Sequence, residues 1–168
     1  EISRLNNLQM AMKIALNSAY GAMGNAYFRY FDIRMAEGIT TSGQLSIQWM
    51  AKEFNRFVNK ILQTEGKDFV IAIDTDSIYL SMGELVEKFA SEKDDAGKIK
   101  YMDKVCEDIF QPFIDNTYQK LAEYMNAYSQ KMVMKREVLA DKGIWIGKKN
   151  YILNVHNSEG VQYATPKL

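Results

Sequence analysis

The chain has 168 residues, of which 47% are hydrophobic and 25% charged, a balance that allows one domain, or a large part of one, with a real core. Lys plus Arg equals Asp plus Glu at 21 each, which excludes nucleic-acid binding through bulk positive charge and leaves only a local basic patch open. The single cysteine, Cys106, excludes an internal disulfide and fits a reducing compartment. With no signal-peptide pattern and no apolar run of bilayer length, the expectation is a soluble cytoplasmic protein with no membrane partner.

Apolar residues at Leu8, Met12, Ala15, Leu16 and Ala19 follow a helical period, which predicts a helix from Asn7 to Ala22. Asn17, Ser18, Gly21 and Gly24 weaken it towards its end. After the aromatic stretch "YFRYF" at 27–31, a second helix is predicted over Ile33 to Leu62, with Ile47, Met50, Ala51, Phe54, Val58 and Ile61 on one face. Gly38 and Gly43 inside it predict close approach of another backbone or a ligand. "EGKD" at 65–68 reads as a turn, and Phe69–Ile73 and Ile78–Met82 as two strands. Residues 91–98, "SEKDDAGK", read as a solvated loop. A third helical region is predicted from Ile99 to Met125, with Met102, Val105, Ile109, Phe113 and Leu121 inward and Pro112 kinking or dividing it. The remainder turns β-like: "KMVMKREVLA", "GIWIG", "NYILNV" and "VQYATP". Hairpins with segregated helices predict an α+β fold with an antiparallel sheet. The chain opens on Glu1 and stops at "YATPKL", and we expect it to be a piece of something larger.

"DTDS" at 74–77 lies between the apolar runs FVIAI and IYLSM. A two-residue hairpin turn puts Asp74 at a strand end with Thr75 and Asp76 at the tip, so that both carboxylates emerge on one edge of the sheet. Two such charges repel, and burial adds desolvation. A divalent cation removes both penalties, and hard oxygen ligands suit Mg²⁺ with phosphate oxygens completing its shell. The competing reading is an ordinary polar turn.

"KIALNSAYG" begins at Lys13. On a helix Lys13, Asn17, Tyr20 and Gly21 fall on one stripe. The cation and amide suit phosphate, the phenol ring offers a flat face to a base or sugar, and the glycine leaves room for a base pair. The competing reading is a polar face with Tyr20 in a core, against which stand the poor helix formers Asn, Ser and Gly. His156, the only histidine, is expected at the surface of a strand end; Cys106, Trp49 and Trp145 are expected to pack.

Taken together, "Lys13-x-x-x-Asn17-Ser18-x-Tyr20-Gly21" and "Asp74-Thr75-Asp76-Ser77" resemble the fingers and palm motifs of family B DNA polymerases. "KREV" at 135–138 and "KKNY" at 148–151 resemble two later palm segments, and residues 17–49 are similar to the polymerases of large tailed bacteriophages. The resemblance implies an antiparallel palm sheet with packed helices, preceded by a fingers helix: 1–24 the end of the fingers, 25–160 the palm, 161–168 the start of a connection to a thumb. It implies Asp76 as principal metal ligand with Asp74 beside it, two Mg²⁺ ions in the complete enzyme, and Glu137 as accessory carboxylate. Lys13 and Asn17 would hold the triphosphate of a dNTP, while Tyr20 and Gly21 line the nascent base pair. Lys148, Lys149 and Tyr151 would contact primer–template DNA.

Three departures stand out. Ile73 precedes Asp74 where the family usually has Gly, and Asn150 replaces a usual Arg. The upstream "Asp-x-x-Ser-Leu-Tyr-Pro-Ser" segment, which supplies the other catalytic aspartate, does not occur in these 168 residues; neither do an exonuclease domain or a thumb. Two-metal transfer needs both aspartate motifs, so the isolated chain is expected not to polymerise DNA. The alternatives are a split or degenerate non-catalytic fragment that binds DNA or completes another polymerase subunit, and a different palm-type nucleotidyl enzyme such as a cyclase. The cyclase has no need of a KxxxNSxYG helix or a KKNY strand.

Overall fold

The computed structural model describes residues 1–147 and 149–167; Lys148, one of the sequence-predicted DNA contacts, lies outside them. The chain divides into two compact units, Glu1–Leu45 and Ser46–Leu168.

In the first unit, helix α1 (Ile2–Met23) starts earlier than its apolar period implies. None of its residues is buried, so the stripe of Leu8, Met12 and Leu16, read as an inward face, stands exposed. Leu5 lies on the same stripe, while Met10 and Ile14 fall on the opposite side and are exposed as well, so the apolar residues do not mark a single side. Helix α2 (Ile33–Leu62) has the predicted bounds. No neighbouring backbone among the described residues approaches Gly38 or Gly43 closely: a Cβ on either would meet nothing within 4 Å.

The second unit is built on the later part of α2, where Ile47, Met50, Ala51, Phe54, Val58 and Leu62 are buried. Fully burying one such aliphatic or aromatic side chain stabilises a fold by roughly 1.5–3 kcal/mol. Two asparagines on the outer turns of α2 then set the path into the first hairpin. Asn59 accepts from Lys67 N–H at 3.1 Å and donates to the Lys67 carbonyl at 2.7 Å. Asn55 accepts from Phe69 N–H at 2.8 Å. Strands β1 (Val70–Asp74) and β2 (Ser77–Leu80) follow as an antiparallel pair. They are more exposed than their apolar character predicts, with Ile71 and Ile73 half in solvent.

Helix α3 (Gly83–Ala90) lies in a stretch where the sequence pattern predicts none. It carries no side-chain N-cap bond, so the usual start signal is missing. Residues 95–98 are helical rather than loop. Asp94 caps α4 (Asp95–Val105) by accepting the Gly97 N–H at 3.0 Å. Between α4 and α5 (Gln111–Tyr124), residues Cys106–Phe110 form one π-helical turn. The Gln111 N–H donates five residues back, to the Cys106 carbonyl. Pro112 thus follows a wide turn at the start of α5 instead of breaking a regular helix. The extra residue shifts the inward face. Val105 is followed in the core by Phe110, a step of five, and then by Ile114, Tyr118 and Leu121, so Ile109, predicted inward, is 45% exposed. Phe54 meets Phe110 and Phe113 edge-on, and Phe57 stacks on Phe113.

Residues 131–137, read as β-like, form no strand; β3 starts at Val138. Strands β3 (Val138–Gly147), β4 (Asn150–Ser158) and β5 (Val161–Lys167) make an antiparallel sheet in that order, separate in hydrogen bonding from β1–β2. The fold is α+β, as expected. His156 does not lie on the surface of a strand end. It sits half-buried within β4, its Nε2 3.1 Å from an Asp141 carboxylate oxygen where the β3–β4 register shifts.

Candidate functional site

Asp74 pairs with Ser77, leaving Thr75 and Asp76 as the two-residue turn. Thr75 has φ 52, the left-handed region that hairpin turns demand and that a β-branched residue resists. Its hydroxyl donates to Asp74 Oδ1 at 3.1 Å, and the Ser77 hydroxyl donates to the Asp74 carbonyl at 3.1 Å. The first bond orients the half-buried Asp74 carboxylate and the second closes the turn on its backbone, whereas Asp76 is exposed at the tip. The pair is therefore not buried, contrary to what the flanking apolar runs imply. The turn presents it to solvent.

Three segments distant in sequence converge on this turn. Asp74, Thr75, Asp76, Ser77 and Tyr79 line a cleft of about 520 Å³ together with Glu137, from just before β3, and Lys149 and Tyr151, from the β3–β4 hairpin. Five sequence-predicted residues of the second unit, Asp74, Asp76, Glu137, Lys149 and Tyr151, thus share one site. Lys149, with φ 59, sits in the hairpin loop between Gly147 and Asn150.

Tyr79 went unread in the sequence. It stands two residues after Ser77 on β2, and strand alternation puts both on one face. Its ring meets Trp145 and Tyr151 edge-on at 5.5 and 5.3 Å between centroids, and Trp145 stacks on Tyr151. This aromatic group joins the two sheets beside the carboxylates. Gly143 makes room for it: a Cβ there would lie 2.7 Å from the Trp145 ring and from Leu153. The hydrogen-bonded Tyr79 hydroxyl, then partial burial and the negative charges of Glu137 and Asp74, push the Tyr151 phenol above its ordinary value. A tyrosine phenol is protonated at physiological pH even at its ordinary value of about 10, so Tyr151 can donate a hydrogen bond there.

The donor chemistry suits a hard cation in part. Three carboxylates line the cleft, and Mg²⁺ commonly takes only one or two, with water and phosphate oxygens completing its shell. Among the described residues, however, no group of three His, Cys, Asp or Glu side chains comes close enough to hold an ion unaided. The cleft fits a cation that arrives with other ligands.

In the first unit, Lys13, Asn17, Tyr20 and Gly21 are all exposed on α1. Thr40 donates to the Ala36 carbonyl at 3.0 Å, so the Tyr20 hydroxyl is the donor in its 2.7 Å bond to Thr40 Oγ1. That bond anchors a ring that is 45% exposed. A Cβ on Gly21 would meet nothing within 4 Å, which leaves the helix surface beside Tyr20 bare.

The family model of DNA polymerase family B matches residues 1–122. The chain belongs to DNA polymerase family B. Among curated relatives, the DNA-directed DNA polymerase of Escherichia phage RB69 is 42% identical over 170 residues, covering 95% of this chain and 19% of that protein. That of Enterobacteria phage T4 is 39% identical, covering 97% of this chain and 19% of its own length. DNA polymerase II of Escherichia coli (strain K12) is 33% identical over 55% of the chain. The chain therefore spans about a fifth of the length of the phage relatives it matches. The family B match takes in the α1 stripe and the Asp74–Asp76 hairpin. Glu137, Lys149 and Tyr151 lie beyond residue 122, within the length that the phage relatives cover. Of the family departures, Ile73 is exposed and does not line the cleft. Asn150 pairs with Gly147 at the base of the β3–β4 turn.

Proposed function

We propose that this chain is the palm and part of the fingers of a DNA-directed DNA polymerase, transferring a nucleotidyl group from a dNTP to a primer 3′-hydroxyl. The observation that carries the reading is the convergence of Asp74, Asp76, Glu137, Lys149 and Tyr151 on one cleft from three separate segments. In this reading 1–24 belongs to the fingers, 25–160 to the palm and 161–168 to the connection with a thumb. The partners are primer–template DNA, a dNTP and the remaining polymerase parts: the upstream palm motif, the exonuclease domain and the thumb.

The cation would be Mg²⁺, two ions in the complete enzyme, and Asp76 and Asp74 would hold it with Glu137 alongside. When bound, it supplies charge stabilisation at the phosphates and activation of the attacking hydroxyl. The chain's own residues do the positioning. Thr75 orients the Asp74 carboxylate, and Ser77 holds the turn that carries it. Lys149 and Lys148 meet the primer–template, and Tyr151 donates to the primer backbone. Lys13 and Asn17 hold the triphosphate, and the anchored Tyr20 ring with the bare backbone of Gly21 lines the new base pair.

Without the second aspartate motif the isolated chain does not extend a primer. Primer extension with Mg²⁺ by the purified 168-residue chain, abolished by Asp76→Asn, would overturn that part. In a full-length family B polymerase carrying this segment, Asp76→Asn removes extension while leaving primer–template binding within a few-fold, measured by single-turnover extension and by equilibrium binding. A second reading, a non-catalytic fragment that binds DNA or completes another subunit, draws on the lack of a three-group metal cluster among the described residues. Its mark is Asp76→Ala leaving biological function intact.

A further inference from the structure

Glu137 has no element of its own to hold it. It precedes β3, yet it lines the carboxylate cleft and also a neighbouring cavity of about 560 Å³ that is shared with Cys106, Lys135, Arg136 and Glu159. Its neighbours are anchored on both sides. Val138 pairs with Ser158 across the sheet. On the other side the Arg136 guanidinium donates through Nη1 to Asn157 Oδ1 at 2.7 Å, and through Nη2 to Asp103 on α4.

Asn157 is 1% exposed, and its one amide oxygen also accepts the Gly160 N–H at 3.2 Å. Glu159 and Gly160 form the β4–β5 turn with φ 50 and 86, the pair of positive values that a tight hairpin uses. The Glu159 N–H then donates to the Glu137 carbonyl at 2.7 Å. Arg136, Asn157 and the turn thus close a loop of bonds around Glu137.

Stability alone accounts poorly for this arrangement. The ion pair leaves only 16% of the Arg136 side chain and 28% of the Asp103 side chain exposed. Desolvation offsets much of the attraction in such a pair, and an apolar pair of equal volume is often as stable. What the charged network provides is placement.

We propose that Arg136 is a positioning residue, held by Asp103 and Asn157, that fixes Glu137 at the mouth of the Asp74–Asp76 cleft so that its carboxylate serves an incoming divalent cation. This rests on the cation-binding reading of the cleft given above.

The test is Mn²⁺ binding to the 168-residue chain in the presence of dATP, which brings the phosphate oxygens that complete the cation's shell, read by electron paramagnetic resonance, with thermal unfolding and near-ultraviolet circular dichroism recorded in parallel. Glu137→Gln weakens Mn²⁺ binding about tenfold, the scale of losses around metal sites. Arg136→Lys, which keeps the charge but not the forked pair of bonds, produces a similar loss. The double variant binds no worse than Glu137→Gln alone. The proposal is overturned if folded Arg136→Lys binds Mn²⁺ as the parent does, or if its loss recurs in full in the Glu137→Gln background. Should Arg136→Lys unfold, Asp103→Asn replaces it with the same two arms. Asp76→Asn separates the two ideas. Unchanged Mn²⁺ affinity in that variant sinks the cation reading and the positioning role together, whereas a loss there without an Arg136 effect sinks the positioning role alone.

Discussion

Helix α1 and the later part of α2 differ in what their apolar residues do. From Ser46 onward, α2 places its apolar side chains at helical spacing on one face and buries them; α1 spreads them around its circumference and buries none. Helix formation and core formation are therefore separable here. Helix α1 runs for 22 residues with none buried, while a core needs a face that matches its neighbours.

Substitutions sharpen the contrast, beginning where the effect is greatest. Phe54→Ala removes a buried ring that meets both Phe110 and Phe113 and lowers unfolding free energy by about 3–5 kcal/mol, read from urea midpoints. Next comes Cys106, at the start of the π turn. Burial pushes its thiol from 9.0 up to about 11, with Arg136 pulling down and Asp103 and Glu107 pushing further up. A raised folded-state value means that the thiol's contribution is intact below pH 9 and is lost as pH rises through about 11. That loss is roughly 2–3 kcal/mol, and Cys106→Ala flattens this part of the stability–pH curve. Gly143→Ala crowds Trp145 and Leu153 and costs about 1–3 kcal/mol; the Trp145 fluorescence should shift as the ring leaves its stack on Tyr151. Smallest is Leu16→Ala on α1. With 74% of Leu16 exposed, the change stays within about 0.5 kcal/mol. A loss near that of Phe54→Ala would erase the contrast between the two helices.

Much of the framework was legible from period and turn chemistry. The bounds of α2 follow from one uninterrupted apolar face, and the Asp74–Ser77 hairpin from polar turn formers between β-branched runs. Helix α3 was not legible, because it is short and Met82, the residue before it, offers no capping side chain. The π turn was hidden for a different reason. A step of five between Val105 and Phe110 becomes visible only once the core residues are known, and a regular period selects Ile109 instead.

At the site, the residue chemistry pointed to Asp74, Asp76 and Lys13, whereas Glu137, Lys149 and Tyr151 were reached only through the family resemblance. Their convergence depends on long-range strand pairing, which no local pattern encodes. Tyr79 and Arg136 escaped because each sits beside a motif and looks like ordinary strand or basic filler. His156 escaped because its partner, Asp141, becomes its neighbour only where the β3–β4 register slips.

The π turn at Cys106–Phe110 holds a one-letter insertion that leaves the reading frame of the packing intact. Each residue in a regular helix turns the chain by roughly 100°, and the wide turn absorbs one extra residue so that Phe110, Ile114, Tyr118 and Leu121 continue the face that Val105 begins. Deleting one position within 106–110 would restore a step of four and leave that face in register. A deletion inside the regular helix that follows has no such slack and would turn everything beyond it by roughly 100°.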